Sequence, residues 1–109
     1  MSKTDRSSNG RTLEDVRRDV ARIDRKIVAA LAAREQLAVE AVQFKCSVAD
    51  ISDPALQKNL LARIDGWAIR AGLSTALARG VYTAILAFGI PRQLEVFAAR
   101  HVRPGRTCD

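Results

Sequence analysis

One stretch of this chain places apolar residues in alternating steps of three and four: Leu13, Val16, Val20, Ile23, Ile27, Ala30, Leu37, Ala41 and Phe44, with Arg34 in the same register. No Gly or Pro interrupts it. That spacing keeps one face of an α-helix apolar and matches a coiled-coil seam held over four heptads. Thr12 stands where an N-cap is needed, with Asp15 at the capping-box position. The pattern predicts one helix from about residue 12 to about residue 48.

Length turns that helix into a constraint. At 1.5 Å per residue it is roughly 50 Å long. A chain of 109 residues makes one domain, with a radius of gyration of about 13 Å. The helix therefore projects beyond its own globule, and its stripe needs cover. A second copy of the chain is the simplest cover; a different helical partner also serves.

The rest of the chain reads as two more helices. Residues 1–11 are expected to be a disordered tail, and Val48–Asp53 a short connection. Ser52-Asp53-Pro54 marks a helix start, with Ser52 or Asp53 as cap. Leu56, Leu60, Leu61, Ile64, Trp67 and Ala68 line one side, and Gly72 ends that helix. Ser74 or Thr75 caps the last one, which carries Leu77, Val81, Ile85, Leu86, Phe88, Leu94 and Phe97 to about His101. Pro91 falls inside it and is expected to kink it. The helical domain is 12–101, followed by a C-terminal tail at 102–109. With 48% apolar residues, only six Gly and three Pro, the composition favours helices over a sheet sandwich.

The net charge of +6 admits nucleic acid, an anionic membrane or a small acidic ligand as partner. No run of five Lys or Arg occurs, and much of the excess sits at Lys3, Arg6, Arg11, Arg103 and Arg106. Nucleic-acid binding is not expected. Cys46 and Cys108 lack CxxC spacing and are expected as free thiols in a reducing cytoplasm. The polar segment MSKTDRSSNGR lacks the apolar core of a signal peptide. No apolar stretch reaches the ~18 residues that span a bilayer. The expected location is cytoplasmic.

A few polar residues break the pattern. Arg34 occupies a seam position, where a charge is costly unless it meets an anion. It either packs at a helix edge beside a glutamate such as Glu35 or Glu40 of a neighbour, or holds a ligand. Lys45 lies eleven residues further on, close to a whole number of turns, so a continuous helix puts both cations on one face ~16 Å apart. Arg17 lies ~25 Å from Arg34 along the axis and points roughly 100° away. Within one chain it is a solvated residue; in a dimer of crossed helices it can enter the other copy's site. Gln93, by pattern alone, faces solvent. His101 suits a C-terminal dipole partner. No catalytic triad, paired-carboxylate site, metal cluster or phosphate loop stands out. An enzyme built this way binds anions and stabilises charge, with no cofactor and no metal expected.

These residues give the chain a family likeness. It resembles the all-α chorismate mutases and their relatives, the isochorismate-pyruvate lyases, from about Leu13 to His101. The marks are LEDVRRDVARIDRKIVAAL, AAREQLAVEAVQFK, WAIRAGL and Gln93. Arg17, Asp24, Arg34 and Lys45 match the family spacing without a gap. WAIRAGL, the Phe44-Lys45 pair and the ungapped link through 46–57 look more like the lyase branch. The resemblance implies a three-helix protomer of the type II fold, intertwined as a homodimer with two shared sites. It implies that Arg34 and Lys45 act together with Arg17 of the other chain on a small dianionic substrate. Gln93 matches the glutamine that donates to the substrate's ether oxygen.

The implied chemistry suits these side chains. Chorismate and isochorismate carry two carboxylates and an enolpyruvyl ether. Two arginines suit carboxylates, and Lys45 and Gln93 are donors to an ether oxygen that gains charge as its C–O bond breaks. Gln57 stands where many mutases have Glu and, as an amide, donates at any pH. Leu56 replaces a frequent Arg, Gly89 a common Ser, and Pro91 is unexpected. Asp53 either contacts the ring hydroxyl, under a one-residue shift, or only caps its helix. The expected activity is chorismate mutase. The alternatives are an isochorismate-pyruvate lyase, an enzyme acting on a modified chorismate such as 4-amino-4-deoxychorismate, and a non-catalytic helical dimer that binds an anion or regulates a partner.

Overall fold

Thr12 opens the first helix as its side chain predicts. Its hydroxyl accepts from the Asp15 N–H at 3.1 Å, and the Asp15 carboxylate accepts from the Thr12 N–H at 3.0 Å. These bonds satisfy amide groups that every helix start leaves without partners. The Thr12 N–H, followed by the Arg18 guanidinium, holds the Asp15 carboxyl below the usual carboxylate range.

The computed structural model describes residues 10–100. The expected tails at 1–9 and 102–109, together with His101, lie outside the described residues. The order of elements is α1 (Leu13–Ala41), a 3-10 turn (Val42–Phe44), α2 (Val48–Ile51), α3 (Pro54–Ala71) and α4 (Thr75–Ala99). The fold is all-α with three long helices, the first of 29 residues being the longest. The chain divides into two units, one up to Gln36 and one from Leu37 onward.

In the first unit α1 buries none of its residues. The large apolar residues of its seam lie open, from 43% exposure at Val16 to 52% at Val20. A helix apolar on one face and covered on none leaves surface that water disfavours by about 25 cal/mol per Å².

The second unit carries the core. Ile64 and Ala68 of α3 pack against Ala78 of α4, with Leu60 and Tyr82 around them. Asp53 caps α3, accepting from the Ala55 N–H at 2.9 Å, and Pro54 takes the first turn. Gly72 ends the helix in the left-handed region, at φ 75°. The Leu73 N–H reaches the Ala68 carbonyl at 2.8 Å and the Gly72 N–H reaches Ile69 at 3.2 Å, the paired bonds of a Schellman end. Ser74 then caps α4 by accepting from the Leu77 N–H. Arg79 grips Asp65 across the two helices through parallel bonds of 2.8 and 2.9 Å. α4 runs through Pro91, which has no N–H for the Ala87 carbonyl.

The structure corrects the reading of residues 42–52. The first helix stops at Ala41, not near 48, tightens into the 3-10 turn, and gives way to extended backbone at Lys45 (φ −87°, ψ 146°). The expected connection holds the one-turn helix α2. The cause is a local competitor to helix continuation. The Asp50 carboxylate accepts from the N–H groups of Cys46 and Ser47, at 2.8 and 3.1 Å. That cap starts a new helix where the heptad pattern alone continues the old one. The turn and α2 both pack on α4, burying Val42 and Ile51.

Candidate active site

The expected site residues divide between the two units. Arg17 and Arg34 lie on α1 in the first; Lys45, Asp53, Gln57 and Gln93 lie in the second. Arg17 points to solvent at 68% side-chain exposure, 4.0 Å from Glu14 one turn earlier. Arg34 is half-buried. Lys45 stands beyond the last turn of the first helix, so the helical phase that linked it to Arg34 does not apply.

Lys45 is fixed by its surroundings instead. Its N–H bonds the Val42 carbonyl at 3.0 Å, and its ammonium donates to the Asp50 carbonyl at 3.0 Å. An ammonium has three donors, so two remain for a ligand. The Cys46 N–H above all, then the Ser47 N–H and the Lys45 charge, hold the Asp50 carboxyl below its ordinary range against the opposing effect of partial desolvation.

Arg100, where α4 ends, supplies a second anchor that sequence reasoning missed. Its Nη1 donates to the Val42 carbonyl at 3.0 Å and to the Lys45 carbonyl at 2.6 Å. Its guanidinium carbon lies 4.0 Å from the centre of the Phe97 ring. Gln93 precedes Arg100 by seven residues, two turns of helix, so both sit on one face of α4 about 10 Å apart along the axis. Lys45 is thereby tied to the C-terminal end of α4, the helix that carries Gln93. Gln93 is half-buried, and a Cβ added at Gly89 would lie 3.9 Å from its Nε2.

Gln57 is half-buried in the first turn of α3, its N–H on the Asp53 carbonyl at 3.1 Å. Asp53 itself is engaged through Oδ1 in capping that helix. The turn, α2 and α3 all contact α4, so Lys45, Gln57 and Gln93 sit on elements packed around one helix.

Two other features bear on the chemistry. An open groove on α1 is lined by Arg11, Val16, Asp19, Val20, Ile23 and Asp24. Asp19 there takes both Arg11 and Arg22, and the remaining Asp24 carboxylate repels a dianion. Among the described residues no three His, Cys, Asp or Glu side chains gather as metal ligands, and no helix is long and apolar enough to cross a membrane.

Cys46 is a correction. The expectation of a free thiol fails, because Cys46 is disulfide-bonded. The chain's other cysteine, Cys108, lies outside the described residues. Sequence spacing carries no information about whether two Cα atoms come within the roughly 4–7 Å that a disulfide needs.

No curated protein matches the chain. The family model for chorismate mutase type II matches residues 16–94, more than two thirds of the 109 residues. The matched span contains Arg17, Arg34, Lys45, Gln57 and Gln93 and all of α2 and α3. With its all-α fold and long first helix, the chain belongs to the chorismate mutase type II family.

Proposed function

We propose that this protein is a pericyclic enzyme of chorismate metabolism, a chorismate mutase that converts chorismate to prephenate. The observation that carries the reading is the tie between Lys45 and the C-terminal end of α4, the helix that bears Gln93. It supports a reading in which Lys45 and Gln93 both donate to an ether oxygen as it gains charge.

The reaction needs no nucleophile, proton transfer or co-reactant. One C–O bond of the enolpyruvyl ether breaks and one C–C bond forms within the same molecule. Arg34 and Arg17 grip the two carboxylates and hold the folded, reactive conformer. Lys45, Gln93 and Gln57 donate to the ether oxygen as C–O cleavage runs ahead, and Asp53 borders the ring hydroxyl.

The working form is a homodimer with two shared sites, in which Arg17 of one copy completes the site of the other. The open seam of α1 supports this: a helix with no buried residue gains most from a second copy of itself.

Loss of pyruvate from isochorismate, giving salicylate, is the second reading. WAIRAGL, the Phe44-Lys45 pair and the ungapped link through 46–57 favour it, and Leu56, where the family often has Arg, counts against an efficient mutase. A modified chorismate, such as 4-amino-4-deoxychorismate, is held by the same grips. The compartment turns on Cys46, since a disulfide that persists in the cell argues against the reducing cytoplasm; thiol trapping in the native host reads it.

Incubating purified protein separately with chorismate and isochorismate tests the function. Prephenate from chorismate is the expected product. Salicylate from isochorismate alone transfers the assignment to the lyase. No turnover of either removes both and leaves a non-catalytic anion-binding dimer.

A further inference from the structure

We propose that Arg100 is a positioning residue, which sets Lys45 for the reaction without touching substrate. The inference rests on the reading in which Lys45 donates to the ether oxygen.

The helical path that ends at Phe44 leaves carbonyl groups without intrahelical partners. From a single nitrogen Arg100 takes the Val42 carbonyl inside this end and the Lys45 carbonyl just past it. The Val42 carbonyl also receives the Lys45 N–H, so one guanidinium closes the turn on both sides. A cation beside helix-end carbonyls is favoured by their partial negative charge. Arg100 is half-buried and lies over Phe97, one turn earlier on α4, which limits where its guanidinium can go. The main chain at Lys45 is thus referenced to α4, the helix that carries Gln93. Both proposed donors to the ether oxygen then share one rigid support. A lysine at 100 keeps the charge but loses the planar stack and the rigid fork.

The test compares Arg100→Ala and Arg100→Lys with Arg79→Ala, which removes only the exposed pair with Asp65. Assays run well below each variant's Tm. Both Arg100 variants should lose about 10- to 100-fold in kcat, the scale of a misplacement near 1 Å, with KM changed less than threefold. Arg79→Ala should stay within twofold of wild type. In a Lys45→Ala background, Arg100→Ala should cost nothing further, because its effect passes through Lys45. An equal loss in both backgrounds, or a folded Arg100→Ala enzyme within twofold of wild type, overturns the proposal.

Amide exchange reads the placement without any substrate. The Lys45 N–H should exchange at least tenfold faster in Arg100→Ala than in wild type, and unchanged in Arg79→Ala. If wild type turns over neither chorismate nor isochorismate, the functional reading fails. The exchange measurement then decides the placement alone: unchanged Lys45 exchange in Arg100→Ala overturns it.

Discussion

Lys45 and Asp50 hold each other from two directions: the Lys45 ammonium donates to the Asp50 main-chain carbonyl, and the Asp50 carboxylate accepts from the N–H of Cys46, the residue after Lys45. The exit from α1 is therefore closed by an acid whose charge matters. Because the folded chain lowers the Asp50 pKa, the contribution is complete above the ordinary value near 3.9 and is lost as pH falls through the lower folded value. Asp15, Asp19 and Asp65 shift in the same direction. Melting curves between pH 6 and pH 2.5 should show Tm falling on the acid side, with a shallower fall in Asp50→Asn. An identical slope in that variant rules Asp50 out as a contributor.

Gln57 makes a different pH prediction, on rate instead of stability. An amide donates without first being protonated, so turnover should not rise on acidification. Gln57→Glu should introduce such a rise, since the carboxyl donates only when protonated. A steep acid-side increase in the wild-type enzyme removes Gln57 from its assigned role.

Two glycines should respond with opposite signs. Gly72 has φ 75°, so Gly72→Ala should cost about 1–2 kcal/mol. Gly89 sits inside α4, where an added Cβ meets Gln93 only at ordinary contact distance. Gly89→Ala should add about 0.5–1 kcal/mol through helix propensity. Urea unfolding of the two variants checks both.

Shared sites predict complementation. Arg17→Ala and Arg34→Ala should each be inactive. Mixed and re-equilibrated, half the dimers become heterodimers with one intact site each, so about a quarter of wild-type activity should return. Persistent inactivity after verified subunit exchange counts against shared sites.

Cys46 can be read chemically. In protein purified without reductant and then denatured, Cys46 should resist thiol labelling, and it should label after reduction. Labelling of Cys46 before reduction means that the disulfide does not form in solution.

Much of the fold was legible because local chemistry and periodicity agreed. Thr12, Pro54, Gly72 and Ser74 each mark an end at which the structure starts or stops a helix, and the seam from Leu13 to Phe44 foretold an uncovered stripe. The reading failed where two local signals competed. Ser47 and Asp50 form a cap inside a stretch whose heptad pattern still ran on, and the cap prevailed. The Lys45 environment was illegible for another reason. Arg100 reaches main-chain carbonyls 55 and 58 residues away in sequence, and a carbonyl leaves no mark on residue type. The disulfide at Cys46 was hidden too, since spacing in sequence does not say whether a cysteine is bonded.

Arg100 directs its hydrogen bonds in this turn at main-chain oxygen atoms, so those bonds do not read which side chain stands at position 45. Exchanging the lysine removes the ammonium's bond to the Asp50 carbonyl but leaves the Arg100 anchor on the main chain beneath it. Framework and chemistry are partly separable at this point in the chain. A lineage, or a designer, can change the donor offered at the site and inherit that anchor.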